Sequence, residues 1–289
     1  TVRSRLIGIV AALAVFGLIV AACGEEETPG GGGTTTATGP AFEDELAEPG
    51  VLKVGSCLDY PPFESVKAGK ETGFDVELTE AIAAKLGLQV EWVKANFDTI
   101  FTAVAGQNHP FDMVAAAVTA TGDTGAERAQ VVDFSSFYYN SRQSLSVNVD
   151  KTPDLTSTDQ LGQGDTVGVQ KGTTGKIWAE ENLVPQGVEL KTYTAAPDAF
   201  RDLQAGTIAG VINDEPSSAE IVKEFPGTEV VQPIDTNEKY AFAFARYTPN
   251  LVTAANEALQ EVIDDGTYAT IFGKYFPGVE VPEEFQPTT

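Results

Sequence analysis

An α/β fold of two lobes follows from three features of the sequence. From Phe42 onward, short strand-like runs alternate with helical ones, the pattern of sheets layered with helices. Residues 112–118 form an apolar run, as in a strand covered on both faces. Two long alternating segments, around 145–149 and 240–245, flank the middle third of the chain, and two such crossings between lobes make a hinge.

The elements read in order as follows. Residues 51–55 begin as a strand, and 74–86 form a helix with Leu78, Ile82 and Leu86 on one stripe, ending at Gly87, a residue suited to a left-handed helix end. Leu88, Val90 and Trp92 alternate with Gln89 and Glu91 as a strand does, whereas Phe97, Ile100, Phe101 and Val104 return to helical spacing before Gly106. Leu145, Val147 and Val149 alternate with Ser144, Ser146 and Asn148, predicting a half-buried strand. Further units comprise a strand over 166–170, helices near 176–182 and 198–205, a strand over 208–213 and a helix opening at Pro216. Tyr240, Phe242 and Phe244 then alternate with alanines in a strand. Pro249 starts a helix with Leu251, Ala255, Leu259 and Val262 on one face. No internal repeat of 20 to 50 residues is evident.

Composition narrows the function. The 289 residues carry 42 Asp plus Glu against 18 Lys plus Arg, a net charge of −24 that repels phosphate backbones and argues against a nucleic-acid partner. Two Cys and one His cannot assemble a multi-ligand zinc or iron–sulfur site, so no metal and no cofactor are expected. With 42% hydrophobic residues the chain can bury a sizeable core.

The amino terminus reads as a targeting segment. Arg3 and Arg5 precede an uncharged apolar run to Ala22, and Val20-Ala21-Ala22-Cys23 resembles the lipobox of bacterial lipoproteins. Residues 1–22 are therefore expected to be a lipoprotein signal peptide and Cys23 the site of lipid attachment. Residues 23–41, rich in Gly and Thr and without apolar periodicity, read as a flexible tether. The expected location is extracytoplasmic, anchored to the bacterial cell membrane through that lipid.

Six segments appear in order: VGSCLDYPPFE (54–64), GFDVELTEAIAAKLG (73–87), VVDFSSFYY (131–139), VGVQKGTT (167–174), NDEP (213–216) and DDGTYATIFGKYF (264–276). Together they closely resemble the solute-binding proteins of polar-amino-acid ABC importers, family 3, over about residues 42–277. The resemblance implies a two-lobed periplasmic-binding-protein-like fold, with a two-strand hinge and a ligand cleft between lobes. Lobe I would comprise 42–142 and the return 239–289 with its tail, and lobe II 143–238. The implied partners are a small amino acid and an ABC permease and ATPase complex, with the receptor a monomer.

A zwitterionic amino acid needs a cation for its carboxylate, an anion for its ammonium and walls for its side chain. Asp214 matches the family's ammonium acceptor and follows a strand, where open α/β sheets bind ligands; capping the helix near Pro216 is its bland alternative role. Thr173 and Thr174 match the carboxylate-contacting positions at a helix start, against an ordinary cap role, and Gln170 a pocket position that varies with ligand. Arg128 is the carboxylate clamp by residue type. Here VTATGDTGAER inserts roughly four residues before it relative to the family pattern, and a capping box of Thr124 and Glu127 would keep it in the first turn of a short helix. Ala117 and Thr119 match backbone and hydroxyl contacts, and Tyr60 and Phe97 the aromatic pair around the ligand side chain, although Phe97 also suits core packing.

Family members selective for Lys, Arg or His often carry an acid at the position that is Cys57 here, so the residues point to a polar or acidic amino acid met by the amides of Gln170 and Asn213; Asp59 and Glu64 are the acids that would overturn this. No enzymatic activity is expected. The alternatives are an enzyme of the cyclohexadienyl-dehydratase type on the same fold, or a sensory surface domain. His109 lies in the loop 107–111, expected to be surface-exposed rather than placed for proton transfer.

Overall fold

The computed structural model describes residues 40–106 and 108–288. The expected signal peptide, Cys23 and nearly all of the tether lie outside those residues. In chain order the strands are β1 (Val51–Ser56), β2 (Asp59–Tyr60), β3 (Glu64–Lys67), β4 (Lys70–Thr72), β5 (Gln89–Lys94), β6 (Met113–Val114), β7 (Val132–Asn148), β8 (Thr166–Gln170), β9 (Glu189–Tyr193), β10 (Gly210–Asp214) and β11 (Thr228–Ala245). The helices are α1 (Phe74–Leu86), α2 (Phe97–Val104), α3 (Gly122–Arg128), α4 (Thr174–Asn182), α5 (Ala196–Ala205), α6 (Glu215–Ile221), α7 (Pro249–Asp264) and α8 (Thr267–Tyr275).

Eight strands form one sheet in the order β5-β1-β6-β11-β7-β10-β8-β9, and β2, β3 and β4 form a second, small sheet. One half of the large sheet is parallel through β5, β1 and β6, the other through β10, β8 and β9. Between them β7 and β11 run antiparallel, and their register shifts between Ile234 and Glu238. A two-lobed α/β architecture is thus observed, with the chain crossing between the halves in β7 and β11.

Local chemistry explains the helix borders. Gly87 ends α1 at φ 73°, where its N–H reaches the carbonyls of Ala83 and Ala84; a left-handed residue costs glycine nothing. Proline in the first turn of α7 loses no intrahelical bond. Helices α1, α7 and α8 pack on one another around an aromatic block in which Phe74 meets Tyr268 edge-to-face at 5.7 Å and Tyr138 stacks on Phe242 at 4.4 Å. A separate cluster, including Leu145, Val167, Val169, Ala179 and Ile212, fills the other half.

Three expectations change. The strand anticipated over 112–118 is buried as expected but pairs only at Met113–Val114. Beyond it Ala117 adopts φ 48°, and its N–H donates at 2.9 Å to Asp75 Oδ2 rather than to a neighbouring strand. The segment 145–149 is not half-buried: Ser144 and Ser146 are as fully buried as Leu145 and Val147, because β7 is central and covered on both faces. The strand expected over 208–213 is Gly210–Asp214, which places Asp214 at the strand end itself. The small sheet and β9 carried no periodic signal, two of those strands being two or three residues long.

Candidate functional site

A small cavity lies where the two halves of the sheet face each other. The structure brings Tyr60, Phe97, Ala117, Thr119, Arg128, Gln170, Thr173, Thr174 and Asp214 to its wall, whereas Asn213, the second amide expected to meet the ligand, does not line it. Cys57, Glu64 and Ala116 complete the lining.

Arg128 arrives by a different route from the one expected. The longer loop folds into α3, but Thr121 rather than Thr124 is the N-cap residue, and its side chain makes no capping bond. Arg128 therefore stands in the last turn, where the partial negative charge of the helix end favours a cation. Its guanidinium is 7% exposed and lies 4.7 Å from the Phe101 ring centroid and 5.3 Å from that of Phe97. Nη1 donates to Thr119 O at 2.8 Å and Nη2 to Gly172 O at 3.0 Å, which ties the two halves of the molecule together and leaves other N–H donors free. Burial lowers its pKa to about 10, opposed by Glu238 and Asp214. Among the described residues this cation has no ion-pair partner.

Asp214 is 8% exposed and makes no capping bond to α6, although it occupies the N-cap position. Its Oδ2 accepts from the Tyr240 hydroxyl at 2.5 Å and its Oδ1 from Gln143 Nε2. Burial first, then the neighbouring Glu238, push its pKa up to about 7.

At the start of α4 the chain turns through Gly172 at φ 80°, where an added Cβ would stand 3.1 Å from Asp98 Cα across the cleft. The Thr173 hydroxyl serves as the ordinary cap: it accepts from Lys176 N at 3.2 Å and donates to Gln170 O at 2.8 Å. What α4 leaves for a ligand are its first-turn amides, which have no intrahelical acceptor. The Thr174 hydroxyl donates to Glu238 Oε2 at 2.8 Å, and that same oxygen accepts from Thr119 Oγ1 at 2.5 Å.

Two functional groups escaped the sequence reading. Glu238, on β11, gathers hydroxyls from both halves, and Gln143, on β7, donates to Asp214 Oδ1 and, at 2.8 Å, to Glu238 Oε1. Both lie in parts of β7 and β11 that extend beyond the alternating runs read from the sequence. His109 is half-buried rather than exposed, with Nδ1 2.7 Å from Phe111 O, and it does not line the cavity.

The profile of bacterial extracellular solute-binding proteins, family 3, matches residues 52–278. A probable histidine-binding protein of Neisseria gonorrhoeae is 32% identical over 273 residues, covering 93% of this chain and 94% of that protein. The structure of an ancestral arginine-binding protein bound to arginine superposes with a TM-score of 0.72 at 33% identity, over 78% of this chain and 98% of that one. An ancestral amino acid-binding protein, AncCDT-1, a precursor of cyclohexadienyl dehydratase, aligns with a TM-score of 0.70 at 32% identity, over 78% and 96%. Among the described residues no helix is long and apolar enough to cross a membrane.

Proposed function

Because the chain belongs to the bacterial extracellular solute-binding proteins, family 3, and so acts outside the cytoplasm on an amino-acid solute, we propose that it is a lipid-anchored, monomeric receptor that delivers a polar amino acid to an ABC importer. One observation carries the ligand class: a buried guanidinium and a buried carboxylate stand on the wall of one small cavity without pairing with each other. The α-carboxylate would meet Arg128 and the first turn of α4, and the α-ammonium Asp214, each supplying the partner that a buried charge needs. Tyr60 and Phe97 would hold the side chain, with Ala117, Thr119, Gln170, Thr173 and Thr174 around it. The relatives named for histidine and arginine support this reading. Lobe I is taken as 42–142 with 239–289 and lobe II as 143–238; closure is a population shift stabilised by contacts from both.

A thermal-shift screen of the twenty amino acids tests it, since a ligand at 100 times its Kd stabilises by about 2.7 kcal/mol. Arg128→Ala and Asp214→Ala should each remove about 2 to 5 kcal/mol of binding while the ligand-free protein still melts cooperatively. Unchanged affinity in Arg128→Ala would assign the carboxylate to another group. Mass spectrometry of the membrane-extracted protein checks the anchor: an unmodified Cys23 on a chain retaining residues 1–22 would refute it. A dehydratase on the same fold is a second reading, favoured by the Glu64 carboxyl on the cavity wall, whose pKa burial raises well above the ordinary carboxylate value. Turnover of prephenate or arogenate would establish that enzyme and displace the receptor.

A further inference from the structure

Glu64 has a chemistry that recognition of the α-carboxylate and α-ammonium leaves unused. Its side chain is fully buried, and neither carboxyl oxygen has a hydrogen-bond partner among the described residues. It pairs with Tyr60 across β2 and β3, so the two side chains project from the same face of that sheet, and both line the cavity. Two buried acceptors without donors are costly unless a donor arrives from outside the fold.

The groups that would recognise an acidic side chain are tied to the fold, Gln170 keeping a single amide N–H and Asn213 none. Gln170 Nε2 donates to Thr194 O at 3.1 Å and Asn213 Nδ2 to Ser218 Oγ at 3.2 Å, while Asn213 Oδ1 accepts from the Tyr60 hydroxyl at 2.9 Å. Arg128, the one cation on the cavity wall, is claimed by the α-carboxylate. A second ligand carboxylate would meet Glu64 with no cation left to pair with, whereas a cationic donor beside it would favour the ionised carboxylate and supply the partner it lacks.

We propose that Glu64 is a specificity-determining residue and that the ligand is an amino acid whose side chain ends in a cationic nitrogen donor: an ammonium, a guanidinium or an imidazolium. The inference rests on the amino-acid reading of the cavity and narrows it, reversing the preference for an acidic side chain expected from Cys57, Gln170 and Asn213. Cys57 leaves the usual acidic position neutral, and Glu64 supplies the charge from the adjacent small sheet.

The test is calorimetric titration of the purified protein with arginine, lysine, histidine, glutamine and glutamate, repeated for Glu64→Gln and Asp214→Asn. The wild-type protein should bind one of the three cationic amino acids tightest. Glu64→Gln should weaken that ligand about tenfold or more while leaving glutamine little changed. Asp214→Asn should weaken every amino acid. Tightest binding of glutamate overturns the proposal and leaves the amino-acid reading standing, as does a cationic ligand indifferent to Glu64→Gln. Binding of none of the five overturns both. The wild-type ranking decides the matter even where a variant fails to fold.

Discussion

Asp214 carries its charge where charge is disfavoured, and that makes the site sensitive to pH. Its ordinary value of 3.8 is pushed up to about 7 by burial and then by Glu238, while the Tyr240 and Gln143 hydrogen bonds pull the other way. A carboxyl raised on folding holds its proton better in the native than in the unfolded chain, so its stabilising share is full below about 4 and is lost as pH rises through about 7. The ligand-free protein is therefore expected to melt lower at about pH 8 than at about pH 5, with Asp75, pushed up to about 6, and Glu64 acting in the same direction. Asp214→Asn should flatten part of that slope in a calorimetric scan. Binding has the opposite sign: an ammonium needs the carboxylate, so affinity should rise with pH by at most about tenfold per unit, with a proton released. Calorimetry in two buffers of different ionisation enthalpy would detect that proton; an affinity flat across the range would argue against the pairing. Asp214 was legible in the sequence through its match to the family's ammonium acceptor, and Arg128 because a guanidinium suits a carboxylate, although a helix cap and a surface side chain were the plainer roles open to them. Gln143 and Glu238 were not, since each lies just before an alternating run, 144–149 or 240–245, where no periodic signal showed that the strand already extends.

At the scale of elements, the start of α1 organises the cavity more than its sequence advertises. Gly73, its N-cap residue, has φ 145°, and an added Cβ would stand 2.0 Å from Phe63 O, where the backbone cannot yield cheaply. The close approach lets Phe74 N donate to Pro62 O at 2.8 Å and Asp75 N to Phe63 O at 2.9 Å, docking the helix on the turn that presents Tyr60 and Glu64. Gly73→Ala should destabilise by about 1 to 3 kcal/mol, lowering the melting temperature by about 3 to 10 °C. An unchanged melting temperature would mean that the turn moves freely away from α1. Asp75, in the first turn of the helix, then accepts from Ala117 N–H at 2.9 Å and from the Tyr138 hydroxyl at 2.8 Å. That carboxylate holds the detour at Ala117, a tertiary bond that no local pattern encodes, before Val118 O accepts from Ala241 N at 3.0 Å and the chain returns to β11. The long helices were readable from their stripes alone, because 3.6-residue periodicity over ten or more residues has no competing interpretation.

Across the whole molecule, a few polar groups hold the halves face to face. Glu238 accepts from Thr119 on one side and Thr174 on the other, Arg128 donates to both Thr119 O and Gly172 O, and Lys171 meets Asp98 at 2.8 Å. Glu238→Ala removes the shared acceptor and should shift the ligand-free protein toward an open state, read as a larger radius of gyration by small-angle X-ray scattering and reversed by ligand. Scattering identical to the wild type would place the closing force elsewhere. The strand order has a consequence for how the chain assembles in time. Strand β11 lies between β6 and β7, so the sheet half holding β1, β5 and β6 cannot close until residues 228–245 arrive. Strands β7 to β10, by contrast, are complete once residue 214 has emerged. A chain released from its amino terminus onward keeps its earliest strands waiting longest, because contacts distant in sequence form last. Chains stalled near residue 225 are expected to protect the amides of β8 and β10 from hydrogen exchange while those of β1 and β6 still exchange freely.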